Sequence, residues 1–199
     1  MSLPNIWPAD KPDLKFDPQG WLAKRTRQGI DIAMHMVSER GDITILELGS
    51  WKGKSSRHML DCLPSARLIC VDHWEGDVCT DEKKSAEGLF EQFVANCWDY
   101  RDRMTLLRMS TIEGVERVQA EGIEPDMVYI DAGHTHDDVY ADANAVLDAF
   151  PNAVVVGDDY GKGPPAGVRS AVRQIEKERQ KEVVVIGGYG WMFMPESFA

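Results

Sequence analysis

The chain has no C-x-x-C pair. Its four cysteines, Cys62, Cys70, Cys79 and Cys97, are scattered, which excludes a redox dithiol or a cysteine-built zinc module and offers no disulfide scaffold. Reduced thiols in a cytoplasmic protein are the expectation. No apolar run nears the ~20 residues that cross a bilayer, and the proline-rich N-terminus lacks the apolar segment of a signal peptide. Cations are scarce: 22 Lys and Arg face 33 Asp and Glu, a formal net charge of −11. Nucleic acids and anionic membranes call for a basic surface, so neither is an expected partner. Between Val118 and Gly161 there is no Lys or Arg, and ten acids stand in that stretch.

Two phosphate-binding patterns are missing as well. The most informative stretch is Ile43 to Ser56, ITILELGSWKGKSS. It reads as a buried strand ending near an acid, a glycine-broken turn and a helix start. A dinucleotide fingerprint would be G-x-G-x-x-G; here the spacing is E-x-G-x-x-x-G-x-S, with bulky Trp51 and Lys52 inside the loop. Lys52-Gly53-Lys54-Ser55 contains Gly-Lys-Ser without the earlier glycine of a P-loop. A loop of this shape suits a smaller anion, such as one carboxylate, met by a helix N-terminus.

What is present is a regular alternation. The 199 residues, 43% hydrophobic and 28% charged, fit a single domain (1–199), divided into an arm and helix (1–40) and a core (41–199). Residues 1–20 read as an irregular arm that packs through Trp7 and Phe16, followed by a helix from Trp21 to Arg40. Then come strand 43–48 and helix 54–64, strand 66–72 and helix 85–98, strand 104–109 and a helix capped by Ser110-Thr111. Strand 127–131 and helix 137–150 follow, then strand 153–156 and helix 168–181. The runs 183–186 and 191–194 flank Gly187-Gly188-Tyr189-Gly190, with no room for a helix, and read as an antiparallel hairpin. The expected fold is α/β: a Rossmann-like, doubly wound, seven-stranded sheet, mostly parallel, with an antiparallel C-terminal hairpin and helices on both faces.

In such sheets ligands bind beyond the carboxyl ends of the strands. Glu47, Asp72, Asp131 and the pair Asp158-Asp159 all fall at that edge. Asp72, after the second strand, is placed to accept bonds from ribose hydroxyls, and Trp74 to stack on an adenine. Asp131, Asp158 and Asp159 follow neighbouring strands and would repel one another unless a hard divalent cation, magnesium or manganese, joined them or one turned away or took a proton. His134 and His136 stand beside that set. His134, three residues past Asp131, is the better candidate for a general base; the alternative is that the histidines themselves bind a metal, which would favour zinc or iron.

Four segments together resemble the class I S-adenosylmethionine-dependent methyltransferases, particularly the metal-dependent macrocin-type and catechol-type O-methyltransferases. They are ILELGSWKGKSS, VDHWEGD, YIDAGHTHDDV and VVVGDDYG, and the similarity runs from Ile43 to the terminal hairpin. The resemblance implies a cofactor site drawn from Glu47, Gly49, Ser50, Trp51, Gly53, Ser55, Asp72, His73, Trp74, Ser110, Thr111 and Asp131. Within it, Gly49 and Ser50 would line the methionine portion, Ser55 would bond its carboxylate, and Asp72 would hold the ribose. His73 or Trp74, with Ser110 and Thr111, would border the adenine. Asp131, Asp158 and Asp159 would ligate magnesium. The catechol type carries a lysine base three positions after its first metal aspartate; this chain has His134 there.

The implied activity is methyl transfer from S-adenosylmethionine to a hydroxyl of a small sugar, polyol or natural-product-like acceptor. The competing expectations are another metal-dependent activity such as hydroxylation, or a non-catalytic cofactor-binding protein. The acceptor would be shaped by the arm and by the loops 75–84 and 160–167. The aromatic arm leaves room for a homodimer.

Overall fold

The computed structural model describes residues 3–4, 6–20, 22, 24–76, 87–161 and 167–195. A seven-stranded sheet runs β3-β2-β1-β4-β5-β7-β6. In chain order, α1 is Lys24–Val37, β1 Thr44–Leu48, α2 Lys54–Cys62, β2 Arg67–Asp72 and α3 Leu89–Cys97. A 3-10 turn over Trp98–Arg103 leads to β3 (Met104–Arg108), α4 (Thr111–Ala120), β4 (Met127–Ile130), α5 (His136–Ala149), β5 (Val154–Gly157) and α6 (Gly167–Arg179). The hairpin is β6 (Val183–Ile186) with β7 (Gly190–Phe193). Strands β1 to β5 pair in parallel, whereas β7 lies antiparallel between β5 and β6.

The sequence-predicted alternation and hairpin are those observed. Boundaries moved where caps decided them. Helix α2 stops at Cys62, before Pro64, and the Leu63 N–H closes its last turn on the Met59 carbonyl. Helix α5 begins at His136 because the Thr135 hydroxyl accepts from the Asp138 N–H. Helix α3 starts at Leu89 and passes into the 3-10 turn at Trp98. Trp21 and Ser85, expected helix starts, lie outside the described residues, as do Cys79 and much of the loops 75–84 and 160–167.

Period-two alternation sends Ile45 and Glu47 to one face of β1 and Leu46 and Leu48 to the other. On the first face α1, α2 and α3 bury Ile30, Val37, Met59, Phe93 and Val94 against Ile45, Leu68 and Tyr129. On the second, α4, α5 and α6 bury Val115, Val118, Val146 and Ile175 against Leu46, Val71, Val128 and Phe193. Each such side chain contributes about 1.5–3 kcal/mol on leaving water. Glu47 alone breaks the apolar rule on β1, fully buried on the first face.

The arm packs on the body. Trp7 donates through Nε1 to the Met104 carbonyl (3.1 Å) and meets Trp98 edge-on; Phe16 is more exposed, with the Arg57 guanidinium over its ring. Among the described residues no helix is long and apolar enough to cross a membrane. Because β2 and β3 are laid down on one side of β1 and the chain then returns to β4 on the other, the connections after β1 and β4 lead to helices on opposite faces of the sheet. The crevice lies between those connections.

Candidate active site

The loop after β1 is built on Glu47. Its carboxylate accepts from the hydroxyls of Ser50 (2.7 Å), Ser55 (2.5 Å) and Ser56 (2.5 Å). Burial pushes the Glu47 carboxyl above its usual range, and the serine hydrogen bonds oppose that rise. A buried charge without such donors would cost several kcal/mol. Gly49 has φ 87°, and a Cβ there would overlap the Asp131 carbonyl, so the β1 and β4 loops can approach only through glycine. Gly53, φ 77°, is the N-cap of α2, and a Cβ there would run into Cys97 Sγ.

Asp72 closes the loop from the next strand. Its Oδ2 accepts from the N–H groups of Ser50 and Trp51, both at 2.9 Å, and its Oδ1 from Trp74 N–H at 2.6 Å. Three of about four acceptor positions are thereby taken. Trp51 is held at φ 46°, a left-handed conformation that few bulky residues adopt.

One cavity of about 940 Å³ spans the crevice. Of the sequence-predicted residues, Gly49, Ser50, Trp51, Ser55, Asp72, His73, Ser110, Thr111, Asp131, His134, Asp158 and Asp159 line it. Glu47, Gly53 and Trp74 do not. Trp74 is 1% exposed, wedged between Phe90 and Phe93 with ring centroids 5.0 and 4.9 Å away, and its indole N–H donates to the Trp51 carbonyl. The expected adenine platform is therefore a core residue; its neighbour His73 is the exposed ring on this wall. The Ser55 hydroxyl, expected on a cofactor carboxylate, donates to Glu47 instead. What α2 still offers an anion is the backbone N–H groups of its first turn. Ser110 is likewise engaged, forming a capping box with Glu113.

At the opposite wall His134 Nε2 lies 2.8 Å from Asp159 Oδ2 and 3.8 Å from Asp131 Oδ1. These contacts, to Asp131 first and then Asp159, raise the imidazole to about 10 against the opposing effect of burial. Asp159 reaches the site through a left-handed turn, φ 62°. One donor atom from each of Asp131, His134 and Asp159 lies within 4.8 Å of the other two, within reach of one cation. Asp158, expected in that set, lines the cavity but is tied to α1 through one oxygen: its Oδ2 accepts from Thr26 at 2.8 Å, and its buried Oδ1 has no partner among the described residues. Burial, then Asp131, raises Asp158 to about 6. His136 is turned toward α6, between Asp137 (2.9 Å) and Gln174 (3.0 Å) and stacked on Tyr140.

Several site residues had no reading in the sequence. Tyr129 donates to Asp131 Oδ2 at 2.9 Å; its place two residues before the acid, on the same side of a strand, was a usable signal. Thr26, in a different helix, had none. Asp142 is 4% exposed, accepts from the Thr111 hydroxyl at 2.5 Å and is raised to about 6, chiefly by burial. The arm also borders the mouth: Lys54 Nζ donates to the Gly20 carbonyl, Lys52 pairs with Asp17, and Trp51 Nε1 donates to Gln19.

A parallel sheet with a reversed last strand, a carboxylate-anchored glycine loop after β1 and an acid after β2 define the class I methyltransferase architecture. Residues 46–160 match the methyltransferase domain family, and the chain belongs to it. No curated protein matches the chain by sequence. Among solved structures it is similar to the O-methyltransferase TomG from Streptomyces achromogenes, with 21% identity over 87% of this chain and 82% of that one, at TM-score 0.60. CalS11, a calicheamicin methyltransferase, gives 16% identity over 87% and 80%, at TM-score 0.62. An O-methyltransferase from Bacillus cereus gives 20% over 92% and 83%, at TM-score 0.53. At these identities the likeness is one of fold.

Proposed function

We propose that the protein transfers the methyl group of S-adenosylmethionine to a hydroxyl of a small-molecule acceptor, and that a divalent cation, magnesium or manganese, assists. The observation that carries this reading is the continuity of the cavity, which joins the glycine loop and Asp72 to the Asp131–His134–Asp159 cluster in one space. The fold neighbours point the same way: TomG was solved with S-adenosylmethionine and the B. cereus protein with S-adenosylhomocysteine. CalS11 is a TDP-rhamnose 3'-O-methyltransferase.

The first turn of α2 meets the methionine carboxylate, Asp72 the ribose, and His73 with the Ser110–Thr111 turn the adenine. The Asp131 and Asp159 carboxylates converge and would hold a cation, and Asp158, with its unpartnered Oδ1, stands in the same cavity lining as a further oxygen donor, which leaves His134 beside the set as the base. A cation held there would supply Lewis acidity, lowering the pKa of an acceptor hydroxyl. His134, whose Nε2 faces both carboxylates, is the base in this reading: in its neutral form the imidazole would take the proton of the acceptor hydroxyl. The remaining rate enhancement comes from holding acceptor oxygen and methyl carbon in line.

Calorimetric titration with S-adenosylmethionine, S-adenosylhomocysteine and NAD(H) tests the cofactor. A methyl-transfer assay on sugar and polyol acceptors, with chelator and with Mg²⁺ or Mn²⁺ restored, tests the reaction. Preferred binding of the dinucleotide, or transfer untouched by chelation and by His134→Gln, would overturn the corresponding part.

A further inference from the structure

On the far side of the first layer, three chemically different donors meet. Asp31 lies on α1, and His58 and Cys62 lie one turn apart on α2, on the same helix face. His58 Nε2 is 2.7 Å from Asp31 Oδ1, and Cys62 Sγ is 4.0 Å from the same nitrogen. One donor atom from each residue lies within 4.8 Å of the other two. We propose that Asp31, His58 and Cys62 form a second metal site, selective for a borderline divalent cation such as Zn²⁺.

The geometry is near what such an ion needs. Tetrahedral zinc, with bonds of about 2.0–2.3 Å, sets its ligand atoms roughly 3.4–3.6 Å apart. The two measured separations bracket that value: the hydrogen-bonded Nε2–Oδ1 pair is closer, and the sulfur, 3.8 Å from Nδ1 and 4.0 Å from Nε2, is farther and would turn toward Nε2 on binding. Asp31 can open the short one by a rotamer shift, since its side chain is 51% exposed. Binding replaces the imidazole–carboxylate proton and the thiol proton with the cation, releasing both to solvent.

Donor chemistry sets the selectivity. A thiolate with an imidazole favours zinc-like ions over magnesium, the reverse of the oxygen-rich cluster in the cavity. Surrounding charge favours a cation too: Asp61 lies near the thiol beside Asp31, while Arg27 is the opposing charge. Asp61 is held by the Tyr100 hydroxyl at 2.6 Å, so the fourth position falls to water. Cys62 ends α2, about 12 Å of helix rise from Lys54 at the glycine loop. An ion here would therefore clip α1, whose Thr26 holds Asp158, to the helix that opens the cofactor loop.

The test is a Co²⁺ titration of the full chain after chelator treatment, following the thiolate-to-cobalt charge-transfer absorption. The expected result is a band that Zn²⁺ abolishes and excess Mg²⁺ does not. It is lost in Cys62→Ser, weakened in Asp31→Asn and unchanged in Asp159→Asn, which alters only the cavity cluster. Circular dichroism of Cys62→Ser establishes that an exposed serine leaves the fold intact. Absence of a thiolate band in the wild-type chain, or a band surviving Cys62→Ser, overturns the proposal.

Discussion

The hydroxyl of Thr26, in the first helix, donates to the carboxylate of Asp158, after the fifth strand, at 2.8 Å. It supports the ionised form of an acid that burial has raised to about 6. Thr26→Val keeps the shape and removes the donor. We expect a loss of about 1–3 kcal/mol at pH 8, where Asp158 is charged, shrinking at pH 5, where it is protonated in both proteins. Urea denaturation at the two pH values measures it; a pH-independent loss would mean that Thr26 acts through packing instead.

Glu47 presents a choice between charge and acceptor. Glu47→Gln keeps one carbonyl for the Ser50 and Ser56 hydroxyls and lets Ser55 turn to accept, so the expected cost is about 1 kcal/mol. Glu47→Ala strands all three hydroxyls and opens a cavity, at about 3–5 kcal/mol. Denaturant midpoints of the pair decide. Equal losses would show that the charge, not the acceptor, holds the loop.

Gly49→Ala forces a side chain into the left-handed region and onto the Asp131 carbonyl. The backbone strain alone is about 1–2 kcal/mol, and the overlap must be relieved by parting the β1 and β4 loops. Binding of S-adenosylmethionine should weaken by roughly tenfold or more, as calorimetry would record. Unchanged affinity would show that the cofactor loop does not depend on that approach.

Asp142 gives the chain a pH dependence of definite sign. Its folded value of about 6 lies above that of an unfolded aspartate. The folded chain therefore holds the proton more tightly. That stabilisation is complete below about pH 4 and is lost as pH rises through 6. Above that, the ionised group costs about 3 kcal/mol relative to its neutral form. Asp142→Asn should thus be more stable than the parent at pH 8, with the gap closing toward pH 4. Thermal melts across that range would show it, and parallel curves would refute it.

The strand–helix order, the terminal hairpin and the acids along one sheet edge were legible in the residues. These features rest on local chemistry: apolar period, glycine and proline punctuation, and an acid closing a strand. Even the glycine loop was readable, because G-x-x-x-G differs from a dinucleotide or P-loop spacing.

Side-chain direction was not. Trp74 was legible as an aromatic beside a ribose-type acid, yet the left-handed backbone at φ 50° turns it inward onto Phe90 and Phe93. Ser55 stood in the motif position for a ligand, but Glu47, eight residues earlier, accepts the hydrogen bond from its hydroxyl. Asp158 and Asp159 are adjacent, so their side chains part. Asp159 turns to His134, whereas Asp158 turns to Thr26, 132 positions away. The sequence by itself determined which elements form, because periodicity is a property of neighbours. Only the tertiary structure decided which acid joins the histidine, because that depends on pairings between distant segments.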